Sequence, residues 1–252
     1  MSHQPSAISH QPNYGPPEQM VVSMARLLRD RERVFHGVAS PLPMIAILLA
    51  RRLHAPNLVY LNISGGINSG PYPLPFSTCH PALLHGSACI FPLAEVFDLS
   101  ARGGLDVAFL GGVQIDRHGR INLSVIGDFK RPKVRFPGGA GAATFLPTAK
   151  RVILWRTKHN PRTIVEKVDF VTAQGRVEKA ITPLCVFAFR NGDIYVESIH
   201  SYSSAEEVVR NTGFELIIDP STPYTLPPTP AELEALEEID PKRVRLIEFE
   251  YP

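Results

Sequence analysis

A strand, a helix and a second strand follow one another near the start of the chain, and this succession limits the possible folds most strongly. Residues 34–37 and 58–62 are short and apolar, as strands are. Between them, Ser40 and two prolines begin a segment of helical character that runs to about His54. Strands joined in this way usually lie parallel with the helix covering them.

Further segments extend this pattern into a larger sheet. Strands are predicted at 106–110, 152–155 and 168–172, and hairpins at 113–123 and 185–197, the second across Asn191-Gly192. An amphipathic helix begins near Met20, and capping boxes at Ser203 and Thr229 predict later helices, the first ending at Gly213. We predict an α/β fold with an open, mixed, mainly parallel sheet flanked by helices.

The polar N-terminus sets the predicted domain boundary. Residues 1–18 are rich in Pro, Ser, Gln and His and predict a disordered tail, and residues 19–252 predict a single domain. The apolar run at 44–50 is much shorter than the ~20 residues of a membrane-spanning helix, so no membrane association is expected. The net charge of +2 disfavours nucleic acid as a partner. Three cysteines cannot all pair, which favours the cytoplasm.

Two glycine-rich turns are the main candidates for a functional site. Residues 64–70 follow a strand, and residues 137–143 have the same character. Backbone N–H groups of such turns can hold a phosphate or the oxyanion of a thioester carbonyl. The alternative is that the glycines only permit tight turns. Neither turn contains the phosphate-binding or dinucleotide-binding glycine pattern.

Two other groups of polar residues have weaker functional interpretations. The spacing of Cys79, His80, His85 and Cys89 does not match structural zinc sites, so no metal is predicted, and Cys89 is expected to be buried. A basic cluster follows the strand at 152–155, and it forms either a solvated face or a binding site for phosphates or a carboxylate. Its members are Arg156, Lys158, His159 and Arg162.

Several segments, in order, resemble the beta subunit of family I coenzyme A-transferases of the glutaconate type. The most specific segment is Leu110-Gly111-Gly112-Val113-Gln114-Ile115-Asp116, followed by Gly119-Arg120-Ile121-Asn122. Segments 34–43, 165–172 and 211–216 match other landmarks, so the resemblance runs from Met20 to the C-terminus. It implies the NagB/RpiA-like CoA-transferase fold and a homologous alpha subunit, in a heterodimer or heterotetramer. It also implies an acyl-CoA substrate, with coenzyme A present as part of the substrate and no permanently bound cofactor.

The chain departs from this family at its catalytic turn. In the transferases, a glutamate in a Glu-Ser-Gly turn attacks the thioester; here the turn reads Ile63-Ser64-Gly65. An aliphatic side chain cannot form the covalent intermediate. The second loop also differs, because Gly-Ser-Gly-Gly-Ala-Asn of the family is replaced by residues 138–143, which end in Ala143. Some relatives are hydrolases that open carbon rings in steroid breakdown and place their key glutamate on the other chain.

The leading hypothesis is therefore a hydrolase-like subunit that acts on an acyl-CoA thioester. Asn62, Ser64 and Asn68 are predicted as catalytic residues that position the substrate. Ser64 is disfavoured as a nucleophile because no His–Asp pair can be assigned to it. The predicted oxyanion or CoA-binding residues are Gly65, Gly66, Gly138, Gly139, Ala140 and Gly141. The alternatives are a true CoA-transferase and a non-catalytic structural subunit that completes a partner's active site.

Overall fold

The computed structural model of the protein describes residues 14–70 and 73–250. The helices are α1 (Pro16–Arg26), α2 (Pro41–Leu53), α3 (Leu93–Ala101), α4 (Ala142–Thr148), α5 (Ala205–Arg210), α6 (Pro230–Ile239) and α7 (Ile247–Glu250), with 3-10 helices at Pro81–Leu84 and Val244–Leu246. The strands are β1 (Arg33–His36), β2 (Val59–Leu61), β3 (Gly66–Ile67), β4 (Cys89–Ile90), β5 (Val107–Gly111), β6 (Gln114–Asp116), β7 (Ile121–Asn122), β8 (Val125–Ile126), β9 (Val134–Arg135), β10 (Arg151–Trp155), β11 (Ile164–Val165), β12 (Val177–Ile181), β13 (Cys185–Arg190) and β14 (Asp193–Ile199).

The main sheet has nine strands in the order β14-β13-β12-β10-β5-β1-β2-β3-β4. Its central strands β12, β10, β5, β1 and β2 are parallel, and the strands at both edges are antiparallel. Smaller sheets are formed by β11-β6-β7 and by β8-β9. The predicted mixed α/β sheet is confirmed, and the strand-helix-strand unit at its centre is β1-α2-β2.

Helices cover the main sheet on both faces, because alternate side chains of the central strands enter two different cores. Val34 packs with α1, α2 and α6, whereas its neighbour Phe35 packs with α3 and α4 on the opposite face. Strands that are buried on both faces have to be apolar at nearly every position, which explains the uninterrupted apolar runs of β5 and β10. None of the helices in the described residues is long and apolar enough to cross a membrane.

The strand predicted at 168–172 is wrong. The chain there forms an irregular segment between β11 and β12. Its end meets β7, where the Thr172 N–H donates to the Ile121 carbonyl over 2.9 Å, but Val168 and Asp169 bond to side chains instead. The N–H of Asp169 donates to Gln114 Oε1 over 3.0 Å, and that of Val168 donates to the Asp116 carboxylate over 3.4 Å. At these two residues, polar side chains from β6 thus take the hydrogen bonds that a neighbouring strand would have made.

Several predicted boundaries shift by one to four residues. Helix α1 begins at Pro16, so residues 16–18 belong to the fold; of the predicted tail, residues 1–13 lie outside the described residues. The cap of α5 is Ser204, one residue after the predicted Ser203. Helix α5 ends at Arg210 and not at the predicted Gly213, because the Gly213 N–H donates to the Ile164 carbonyl of β11. The capping box at Thr229 is confirmed.

Two side chains lie in surroundings other than those expected. Ser40 stands at the N-cap of α2, but its hydroxyl donates to the Val38 carbonyl and caps nothing. Cys89 is exposed, not buried, because β4 is the edge strand of the main sheet and both of its residues face solvent.

A buried arginine fixes the C-terminal segment against the rest of the protein. Arg245 is 2% exposed, and its Nε donates to Glu18 of α1 over 2.7 Å. Its other nitrogens contact Asp240, at 3.2 Å, and Glu237. This network joins α1, the end of α6 and the 3-10 helix that leads into α7.

Replacement of Arg245 by methionine should lower the free energy of unfolding by about 3–5 kcal/mol, because Asp240 and Glu18 would lose the charge that compensates their burial. Denaturant unfolding of the purified chain measures this loss. The control is Arg52→Met, which removes an exposed pair with Glu238 and should cost at most about 1 kcal/mol. Equal losses in the two variants would contradict the anchoring role of Arg245.

Candidate active site

A cavity of about 590 Å³ lies at the carboxyl ends of the parallel strands. Gly37 follows β1, Ile63 follows β2, Gly111 ends β5 and Arg156 follows β10, and all four line the cavity. The connection from β1 leads to β2 on one side of the sheet centre, whereas the connection from β5 leads to β10 on the opposite side. The strand order therefore reverses between β1 and β5. Open α/β sheets bind ligands at such a reversal, and the volume suits a small-molecule site.

The cavity wall is mainly apolar. Phe35, Phe97 and Phe145 form a continuous aromatic surface, with ring centroids 4.8 and 4.7 Å apart. Aliphatic residues and glycines complete most of the rest. Within the described residues, Arg156 and Glu248 are the two that bring ionisable side chains to this wall.

Ile63 is half-buried and lies on the cavity wall. The next residue, Ser64, is not part of that wall, and its hydroxyl donates to the carbonyl of His80 over 3.2 Å. The turn after β2 therefore presents an aliphatic side chain to the cavity at the position where the resemblance places a glutamate.

Asn62 and Asn68 hold this turn together. The buried Asn62 amide donates to Ser69 and to the Leu83 carbonyl, and its oxygen accepts from Gly66 N over 3.0 Å. The Asn68 side chain accepts from Tyr60 N over 2.8 Å. Neither Asn62 nor Asn68 lines the cavity, so the structure places both residues outside the candidate site. The catalytic roles predicted for Asn62, Ser64 and Asn68 stay predictions.

The two glycines predicted as oxyanion donors in the first turn already use their N–H groups. Gly65 N donates to the Asn62 carbonyl, and Gly66 N donates to the Asn62 side chain. A Cβ atom at Gly65 would lie 2.5 Å from the Phe91 carbonyl oxygen, and φ there is +96°. Gly65 and Gly66 thus allow close packing of the turn against β4, and their N–H groups are unavailable in this conformation.

The second glycine loop, unlike the first, lines the cavity with all its predicted residues and has N–H groups without an acceptor among the described residues. All of its predicted residues line the cavity: Gly138, Gly139, Ala140 and Gly141. Gly138 N donates to the Leu123 carbonyl, but the N–H groups of the next three residues have no acceptor within residues 14–70 and 73–250. Ala140 adopts a left-handed φ of +44°. The loop therefore brings unbonded backbone donors to the cavity wall.

The charged end of the cavity lies at Arg156 and Glu248. Burial lowers the pKa of Arg156, and the charge of Glu248 opposes this. Burial raises the pKa of Glu248 to about 6, against the charge of Arg156 and a hydrogen bond from Thr157. Arg156 Nε and the neighbouring Trp155 Nε1 are buried and have no hydrogen-bond partner in the described part of the chain. These two buried, unpaired donors, one of them in the Arg156 guanidinium itself, form a place for an acceptor or an anion.

The basic cluster predicted after β10 is dispersed by the fold. Of its members, only Arg156 lines the cavity; Lys158 and Arg162 do not. His159 is buried between Thr182 and Thr212, and this burial lowers its pKa to about 3. The described residues contain no group of three or more His, Cys, Asp or Glu that could hold a metal ion.

Sequence reasoning missed Glu248, the only carboxyl group that the described residues bring to the cavity wall. A signal was present, since this acid stands between Ile247 and Phe249 in the apolar segment that ends the chain. Its position near β10 depends on the Arg245 network, which joins residues more than 200 positions apart and has no local sequence pattern.

The model of the coenzyme A transferase family matches residues 18–211. This chain belongs to the coenzyme A transferase family. The resemblance inferred from the sequence is thereby confirmed.

Relatives within the family differ in their reactions. The chain is 35% identical over 246 residues to the B-type subunit of 3-oxoadipate CoA-transferase from Pseudomonas knackmussii, covering 90% of this chain and 94% of that protein. It is 31% identical over 174 residues to the cholesterol ring-cleaving hydrolase IpdB subunit of Rhodococcus jostii, covering 61% and 67% of the two chains. Among solved structures it is similar to the decarboxylase AibA/AibB, with 31% identity, a TM-score of 0.87 and coverage of 91% and 96%.

Proposed function

We propose that this chain is the beta-type subunit of a two-subunit enzyme that cleaves an acyl-CoA thioester without transferring CoA to itself. The reaction is hydrolase-like, and coenzyme A takes part as a portion of the substrate, with no permanently bound cofactor. The supporting observation is that Ile63, where the resemblance places the nucleophile of the transferases, lies on the cavity wall. Relatives named as a hydrolase and a decarboxylase support the same divergence.

The groups on the cavity wall are of the kinds that attack by water on a thioester requires. The acyl portion packs against the phenylalanine surface, with its carbonyl oxygen toward the unbonded N–H groups of Gly139, Ala140 and Gly141. Glu248 accepts a proton as water attacks the carbonyl carbon, because a carboxyl group with a pKa near 6 is largely ionised at neutral pH. The new carbon–oxygen bond replaces the carbon–sulfur bond, and the CoA thiolate leaves and takes up a proton. Arg156 holds an anionic group of the substrate or stabilises developing charge.

The partner and the compartment belong to the same proposal. A homologous alpha subunit completes the enzyme; this is supported by the relative named as one subunit of a 3-oxoadipate CoA-transferase and by the two-part name AibA/AibB. A cytoplasmic location is supported by the cysteines Cys79, Cys89 and Cys185, which are all free thiols.

A true CoA-transferase is the second candidate. The 35% identity to a transferase subunit, spanning nearly the whole length of both chains, favours it. In this alternative Glu248 attacks the thioester in place of the missing glutamate, since it is the one carboxylate that the described residues bring to the cavity wall.

The complex with its alpha subunit should release free CoA from a suitable acyl-CoA at a rate that does not depend on added carboxylic acids. A panel of acyl-CoA thioesters, assayed for free thiol with and without acetate or succinate in ¹⁸O-water, measures this. One labelled oxygen should appear in the released acid. CoA release that requires an acceptor would favour the transferase, and the absence of any reaction across the panel would favour the structural-subunit alternative.

A further inference from the structure

A basic hairpin rises directly from the cavity wall. Its two ends, Leu123 and Gly138, both line the cavity and are joined by a 3.0 Å backbone hydrogen bond. The strands β8 and β9 continue outward from this point, with Val125 opposite Arg135. Residues 123–138 therefore form one ribbon whose base belongs to the active site and whose tip lies in solvent.

The tip of this basic hairpin concentrates positive charge. Four exposed cations lie within six residues: Lys130, Arg131, Lys133 and Arg135. None of them forms an ion pair with another residue of the described chain. The acid within this tip, Asp128, accepts the backbone N–H groups of Lys130 and Arg131 and so shapes the turn. In a chain whose total net charge is +2, this is a strong local excess.

An exposed aromatic ring lies among these cations. Phe129 is 49% exposed and stacks on Phe170, with ring centroids 4.7 Å apart. The Arg135 guanidinium lies 5.1 Å from the centre of the Phe129 ring. The Asp169 carboxylate accepts from Gly127 N over 2.7 Å and so ties the basic hairpin to the body of the protein. A large apolar ring kept half in solvent beside a guanidinium, on a hairpin rich in cations, is suited to a flat, anionic ligand.

We propose that the basic hairpin binds the 3′-phospho-ADP portion of coenzyme A. Its phosphates contact Lys130, Arg131 and Lys133, and its adenine packs against the exposed part of the Phe129 ring beside the Arg135 guanidinium. The geometry of the ribbon agrees with this. Arg135 and Lys130 are three and eight residues from Gly138, so they lie at most about 10 and 26 Å along the ribbon from it, given ~3.3 Å per strand residue. The extended arm between the thioester and the nucleotide bridges such a separation. The inference rests on the proposed function.

The test compares the Arg131→Ala/Lys133→Ala variant with an Arg210→Ala/Lys242→Ala control that removes the same charge from exposed sites outside the cavity. Binding of CoA, dephospho-CoA and pantetheine to the complex with the alpha subunit is measured by calorimetry at two salt concentrations. The hairpin variant should bind CoA about tenfold more weakly, lose the preference for CoA over dephospho-CoA, and show a smaller salt dependence. Pantetheine binding and the control should be unchanged.

The outcomes separate this inference from the function on which it rests. If wild type and hairpin variant bind CoA equally well, with equal salt dependence, the nucleotide is held elsewhere while the proposed function stands. If wild type binds neither CoA nor any acyl-CoA, both proposals are overturned. Circular dichroism and thermal unfolding of each variant ensure that a loss of affinity is not a loss of fold.

Discussion

An Ile63→Glu variant of this chain, in complex with its alpha subunit, should gain CoA transfer to an added carboxylic acid, an activity that we expect wild type to lack. The side chain of residue 63 already lies on the wall of the cavity, and glutamate would place a carboxylate in the same cavity as the unbonded N–H groups of Gly139, Ala140 and Gly141. A carboxylate in that position can attack the thioester and form a covalent intermediate. Transfer of CoA from acyl-CoA to acetate or succinate, followed by chromatography, measures the gain.

The matched control is Ile63→Gln, which has nearly the same size and polarity but no nucleophilic carboxylate. Both substitutions remove an apolar side chain that packs partly against the core under α3 and α4, so both should cost a similar free energy of unfolding. Transfer in the glutamate variant alone supports the assignment of residue 63. Equal behaviour of two stably folded variants would show that residue 63 is not at the reacting centre.

Replacement of Glu248 by glutamine should slow CoA release by about 10²- to 10⁴-fold, the usual contribution of a general base. The wild-type rate should rise with pH through about 6, because Glu248 accepts a proton only when it is ionised. The variant should retain a low rate without this rise. The control, Glu238→Gln, changes an exposed carboxylate of α6 that is paired with Arg52, and should leave both rate and pH profile unchanged.

A stability measurement separates catalysis by Glu248 from a structural effect. Burial raises the pKa of this group in the folded protein from 4.5 to about 6, so the folded state holds the proton more tightly than the unfolded chain. The stability that this provides is fully present below pH 4.5 and is lost as pH rises through about 6. The glutamine variant should lack this dependence and should be no less stable than wild type at about pH 7. A large loss of stability there would contradict the catalytic assignment.

The sequence was informative where function depends on local backbone pattern. The parallel core around β1-α2-β2 and the loop Gly138–Gly141 follow from short apolar runs and glycines that are close in sequence. The identity of residue 63 could be read from the turn that carries it. Each of these features depends only on residues that are close to one another along the chain.

Features that depend on distant contacts were not predictable in this way. The chain at 168–172 is irregular because Asp116 and Gln114 take the backbone hydrogen bonds of its first two residues. Asn62 resembles a polar active-site residue in sequence, but its amide is used by Ser69, Leu83 and Gly66. Glu248 reaches the cavity only because Arg245 fixes the last turn of the chain against α1.

The most direct test of the central claim is the intact mass of this subunit after its complex reacts with acyl-CoA. The wild-type chain and the Ile63→Glu variant are quenched in acid at successive times and examined side by side, with peptide mapping of any adduct. We predict no CoA or acyl adduct on wild type while free CoA accumulates, and a CoA adduct on the variant at residue 63. A CoA adduct on the wild-type chain, at Glu248 or elsewhere, would contradict cleavage without covalent transfer and would establish the chain as part of a true CoA-transferase.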